Sequence, residues 1–109
     1  MAAAKLMVMY PTPKNLDSFE EAYNKEHIPM AAPIFQAAGA TKVVFSKMTG
    51  SPSGGPPFHR IAEIHFSSIA ALQACAASKG GQDALAHAVK ISNGGPPVVM
   101  IAEEDTVTF

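Results

Sequence analysis

The chain of 109 residues is the size of one domain, 1–109, with room for a real core. Its net charge is only -1 and its charges are scattered, so no basic stripe marks a nucleic-acid partner. Apolar residues make up 48% and charged residues 16%, below the usual quarter, and this predicts apolar surface hidden by self-association.

The opening "MAAAKLMVMY" is too short and too quickly polar for a signal peptide, and no segment is long enough to cross a bilayer. A soluble cytoplasmic protein with no membrane partner is expected. The single cysteine, Cys75, excludes an intramolecular disulfide and fits a reducing compartment. Its alanine-rich surroundings suggest a small buried hydrophobe rather than a reactive thiol.

The apolar run Lys5 to Tyr10 predicts a first strand, stopped by Pro11-Thr12-Pro13. A helix follows, capped by Asn15 or Asp17, with Glu20 and Glu21 toward its positive end. Phe19, Tyr23 and His27 form an apolar stripe at four-residue spacing, and Pro29 is expected to bend or end the helix at Ile28. "MAAPIFQAAGA" predicts a second short helical piece closed by Gly39.

Thr41 to Met48 and Phe58 to Phe66 are the second and third strands, separated by the loop Thr49 to Pro57. Ser67 or Ser68 caps a helix expected to end at Gly80-Gly81, and "QDALAHAVKIS" adds further helix. Val98 to Glu103 is the fourth strand. GGPP occurs twice, at residues 54–57 and 94–97, where glycines end one element and prolines lead into the next strand.

The order β-α-β-β-α-β predicts a ferredoxin-like α+β fold: an antiparallel four-stranded sheet with helices on one face. Strands with apolar groups on both sides predict a homodimer whose sheets pack face to face. On the third strand, Phe58, Ala62, Ile64 and Phe66 are assigned to the helix-covered face, and His59, Ile61, Glu63 and His65 to the other. Two histidines flanking a carboxylate can hold a metal. No second strand offers an evident further ligand, so hydrogen-bonded interface polars are expected and no metal.

Two readings of His27 stay open. As a base at a helix C-terminus, opposing dipole and burial effects would set its titration between about pH 5 and 8, with Tyr23 as phenolic partner. As a cap, it would satisfy the last carbonyls of its own helix. His87, four residues after Asp83, is the second acid/base candidate. No nucleophile elbow, phosphate loop or dinucleotide fingerprint occurs, so no cofactor is expected.

The segments "MVMYPTP", "YNKEHIPMA", "FHRIAEIHFSSIAAL" and "SKGGQDALAHAVKISNGG", covering nearly the whole chain, resemble the EthD family, named for a protein needed in bacterial ethyl tert-butyl ether degradation. The resemblance implies a dimeric α+β barrel and a superfamily of cofactor-free cyclases, isomerases and monooxygenases and haem-degrading proteins. The chain departs from the expected pattern in carrying His87 in place of an acid and Ile91 in place of an aromatic. The expected function is cofactor-independent proton-transfer chemistry on a small apolar, oxygen-bearing metabolite, through His27, Tyr23 and His87. The alternatives are an accessory protein that holds a hydrophobic ligand for an oxygenase, and a haem-binding protein.

Overall fold

In the computed structural model, which describes residues 2–109 and so leaves Met1 of the expected domain outside, β1 spans Ala3–Pro11. Its alternate residues Ala4, Val8 and Tyr10 are buried on one side, as the two-residue period of a strand requires. The remaining elements are α1 (Leu16–Ala22), a π-helical segment (Tyr23–His27), α2 (Ile28–Ala37), β2 (Lys42–Lys47), β3 (Phe58–Phe66), α3 (Ile69–Ala77), α4 (Lys79–Ile91) and β4 (Val98–Glu104). Strand order is β2-β3-β1-β4, antiparallel throughout, which is the expected ferredoxin-like α+β fold.

Register fixes the inner face. Leu6 sits between Ile64 and Ile101, and Val8 between Ala62 and Val99. Tyr10, Phe19, Tyr23, Ile64, Phe66 and Leu72 are the largest fully buried side chains, each contributing on the order of 2 kcal/mol by leaving water. Asn15 caps α1 and Ser68 caps α3 through their side-chain oxygens, which resolves both expected alternatives.

Pro29 does not end the helix. Helical backbone runs from Leu16 to Ala37, with the π segment immediately before the proline. Within it the Ile28 amide bonds to the Tyr23 carbonyl, a widened turn that accommodates the missing Pro29 donor. The buried residues Phe19, Tyr23, His27, Ala31 and Phe35 recur strictly every four positions. In an unbroken α-helix each such step drifts by about 40°. The wider turn takes up that drift and keeps all five on the core side.

Gly80 and Gly81 do not close α3 either. That helix ends at Ala77, and both glycines lie in the first turn of α4, where the Ser78 hydroxyl accepts from the Gly81 amide. A Cβ on Gly81 would stand 2.1 Å from the Cys75 carbonyl oxygen, so close backbone approach at the α3–α4 corner demands glycine. The second GGPP has a similar steric cause: a Cβ on Gly94 would stand 2.0 Å from the Thr12 carbonyl oxygen.

His59 is on the wrong face for its expected group. Tyr10 pairs with Arg60 but Pro11 with Phe58, so His59 is the extra residue of a β-bulge. The bulge turns its ring to the helix side, 5.8 Å from the Phe19 ring and with Nε2 3.4 Å from Glu20. On the open face Glu63 pairs with Lys5 at 2.7 Å, and His65 with Glu104 at 2.8 Å. Among the described residues no cluster of three or more His, Cys, Asp or Glu could hold a metal, and no helix is long and apolar enough to cross a membrane.

Candidate functional site

β1 delivers Tyr10, the π segment delivers Tyr23 and His27, and α4 delivers His87. Tyr10 is fully buried at the inward end of β1, and its hydroxyl lies 3.2 Å from His27 Nε2. His27 Nδ1 lies 2.9 Å from His87 Nδ1, and the two rings are within 6° of parallel. Their centroids are 5.2 Å apart, the separation of two rings meeting nitrogen to nitrogen in line. The rings are therefore edge to edge, with the shared proton in both ring planes, where the lone pair of an sp2 nitrogen points.

An aromatic cage fixes this line. Phe19 and Tyr23 stack at 5.4 Å, Tyr23 lies near-parallel to His27 at 5.7 Å, and Tyr10 meets both Phe19 and Tyr23 edge-on. Arg60 lies 5.0 Å from the Tyr23 ring centre while its Nε and Nη2 donate to the Glu20 carboxylate at 3.1 and 2.8 Å. That hydrogen bonding holds Glu20 below the usual carboxylate range.

Burial, reinforced by the neighbouring His87, lowers His27 to about 4. This differs from the expected pH 5 to 8, because the helix continues to Ala37 and no C-terminal dipole offsets burial. The capping reading also falls: both His27 nitrogens are engaged by side chains of other elements. Burial pushes Tyr23 up to about 12 and Tyr10 further above its ordinary value, so both phenols stay protonated.

Tyr10 and His27 reach the polar end of a cavity of about 160 Å³ between sheet and helices. Leu6, Val8, Ala62 and Ile64 form its floor, with Cys75, Ala84 and Ala88 opposite. Burial raises the Cys75 thiol, which keeps it a protonated lining group rather than a nucleophile. Val99, Ile101 and Leu85 line the cavity yet stay 41–53% exposed, and they mark its mouth.

Of the residues singled out from sequence, His27 lines the cavity, while His87 sits behind it. Tyr23 gives His27 its ring and not its hydroxyl, which is buried without a hydrogen-bond partner. The phenol that does bond His27 is Tyr10, which sequence reasoning passed over. Its signal was the inward alternation Leu6, Val8, Tyr10, ending in a polar aromatic just before a proline.

The EthD domain profile matches residues 12–91. An EthD family protein from Bacillus halodurans C-125 superposes with a TM-score of 0.84 at 26% identity, over 94% of this chain and 99% of that one. An EthD-like protein from Ralstonia eutropha JMP134 gives 0.70 at 24% identity, over 94% and 92%. A dimeric ferredoxin-like protein of unknown function from Jannaschia sp. CCS1 gives 0.69 at 18% identity, over 95% and 100%. No curated protein matches the chain.

Proposed function

The chain belongs to the EthD family, and on that premise we propose a single-domain, cytoplasmic, cofactor-independent enzyme. It moves a proton on a small apolar metabolite bearing one oxygen. The observation that carries this reading is the cavity. Its lining is apolar except for one end, where the Tyr10 hydroxyl and the His27 imidazole are the strongly hydrogen-bonding side chains. A dry apolar cavity of about 150 Å³ holds a molecule the size of benzene. A ligand of that size would rest its ring on Leu6, Val8 and Ile64 and present its oxygen to Tyr10. With its own proton held toward His27 Nε2, the Tyr10 oxygen takes the ligand proton as the Tyr10 proton passes to His27, an arrangement suited to an enolate or phenolate forming in a water-poor site.

The protonated Cys75 and the unpartnered Tyr23 hydroxyl favour a second reading, a ligand-holding accessory protein with the same cavity and no turnover. Haem ligation is disfavoured because both His27 nitrogens are already engaged.

The active form is a homodimer paired through the open sheet face. There Met100 is 54% and Val44 38% exposed around the Lys5–Glu63 ion pair. The dimeric relative from Jannaschia supports this.

Small cyclic ketones and phenols, incubated with the protein in heavy water, test the enzymatic reading. Carbon-bound deuterium should appear in a bound ketone, and Tyr10→Phe and His27→Ala should each abolish it. Binding without exchange across the panel would favour the accessory reading. No binding at all would remove both.

A further inference from the structure

We propose that His87 is the proton exit of this cavity, passing a proton between buried His27 and solvent by a paired change of tautomer. The inference rests on the acid–base reading above and concerns a residue that does not itself line the cavity.

A hydrogen bond between two ring nitrogens holds one proton, so His27 and His87 carry opposite Nδ1 states. In one arrangement His27 Nδ1–H donates to His87 Nδ1, and the Tyr10 hydroxyl donates to His27 Nε2. His87 then carries its proton on Nε2. In the other arrangement His87 Nδ1–H donates to His27, His27 Nε2–H donates to the Tyr10 oxygen, and the Tyr10 O–H is free for the cavity. Both arrangements pair the facing nitrogens and leave both rings neutral.

One transfer converts the first into the second. A ligand proton passes to the Tyr10 oxygen, and the Tyr10 proton to His27 Nε2. The His27 Nδ1 proton then passes to His87 Nδ1, and the His87 Nε2 proton to water. Four bonds to hydrogen form and four break, the ligand loses one proton and water gains one. The reverse sequence returns a proton to the ligand.

Depth gives the relay its direction. His27 is 4% exposed, and burial opposes its cation, so a base that simply kept the proton would be costly here. His87 is half-buried. Its Nε2 has no protein partner among the described residues and is not among their fully buried, unpartnered polar atoms. The groups on the His27 ring from the packed elements are Tyr10 of β1, Tyr23 of the π segment and His87 of α4, with no carboxylate or lysine among them.

Ring-nitrogen NMR on the histidine-labelled wild-type protein tests this without any substrate. Opposite tautomers for His27 and His87 at neutral pH are expected. Protons on Nε2 of both rings would leave no proton between the Nδ1 atoms and overturn the relay. Exchange of the His27 ring proton with water should slow at least ten-fold in His87→Gln, whose amide can hydrogen-bond Nδ1 but cannot pass a proton on. Unchanged exchange overturns the proposal. Should His87→Gln fail to fold, the wild-type tautomers still decide it. If both tests succeed while the cavity binds no ketone or phenol, the relay stands and the acid–base reading falls instead.

Discussion

Arg60 grips the Glu20 carboxylate with two nitrogens, at 2.8 and 3.1 Å, and so fastens β3 to α1 directly beside the Tyr23 ring. Lys47 and His59 approach the same carboxylate at 3.5 and 3.4 Å, so one helix acid gathers three basic side chains. Glu20→Gln should cost about 2 kcal/mol, measured by chemical denaturation at neutral pH. The Glu20 pKa is lowered on folding, so its stabilisation is complete above its unfolded value and is lost as pH falls through the folded one. The difference between wild type and variant should therefore shrink in acid. A constant difference would show that the pair is not what Glu20 contributes.

His27 supplies a second acid-labile contribution. Its pKa falls from 6.5 to about 4 on folding, so stability is full above pH 6.5 and declines as pH drops toward 4. The loss over that window should be about 3 kcal/mol. His27→Gln should flatten the curve there. NMR titration showing His27 half-protonated near pH 6.5 would contradict the buried, neutral ring.

The two tyrosines should behave oppositely. The Tyr23 hydroxyl is buried and unpartnered, so Tyr23→Phe should raise stability by about 1 kcal/mol. Tyr10→Phe leaves His27 Nε2 without its partner and should lower stability by a similar amount, with loss of cavity ligand binding of ten-fold or more. Thermal melts and ligand titration of both variants check this. Equal effects would mean that the Tyr10–His27 bond carries nothing.

Gly81→Ala drives a Cβ into the Cys75 carbonyl and should cost about 3 kcal/mol or more. Gly80→Ala meets only the Ile34 Cγ2 methyl at 2.9 Å, which can rotate away, and should cost clearly less. Denaturant midpoints for the two variants should separate in that order.

Light scattering during size-exclusion chromatography should give twice the 11.4 kDa chain mass at micromolar concentration. Glu63→Leu frees Lys5 on the open face and should weaken the dimer more than the helix packing. A stable monomer of wild type would remove the face-to-face arrangement.

Strands and caps were legible because they rest on local chemistry: alternation, proline stops and hydroxyl or amide caps. The third strand carries its bounds, Phe58–Phe66, in its own apolar run. What stayed hidden depends on register or on close approach. The bulge at His59 arises from a slip against Pro11, and no single strand records its partner's slip. Gly80-Gly81 read as a stop signal because the Cys75 carbonyl that requires glycine is set by the α3–α4 corner. His27 was found by its stripe, but its partner Tyr10 lies 17 residues away on another element.

The position of β1 has a consequence for synthesis. It is an inner strand whose outer neighbour, β4, comes last of the four in chain order, and the loop ahead of β4 is fastened to the start of α1. Asn93 donates to the Asn15 carbonyl at 2.9 Å, and the Asn15 amide donates back to the Asn93 side chain at 3.2 Å, 78 residues apart. A chain emerging from the ribosome can pair β1 with β3 but must carry an open backbone edge beside Leu6 and Val8 until Val98–Glu104 has cleared the tunnel. Stalled or truncated products lacking those residues would present that edge to one another.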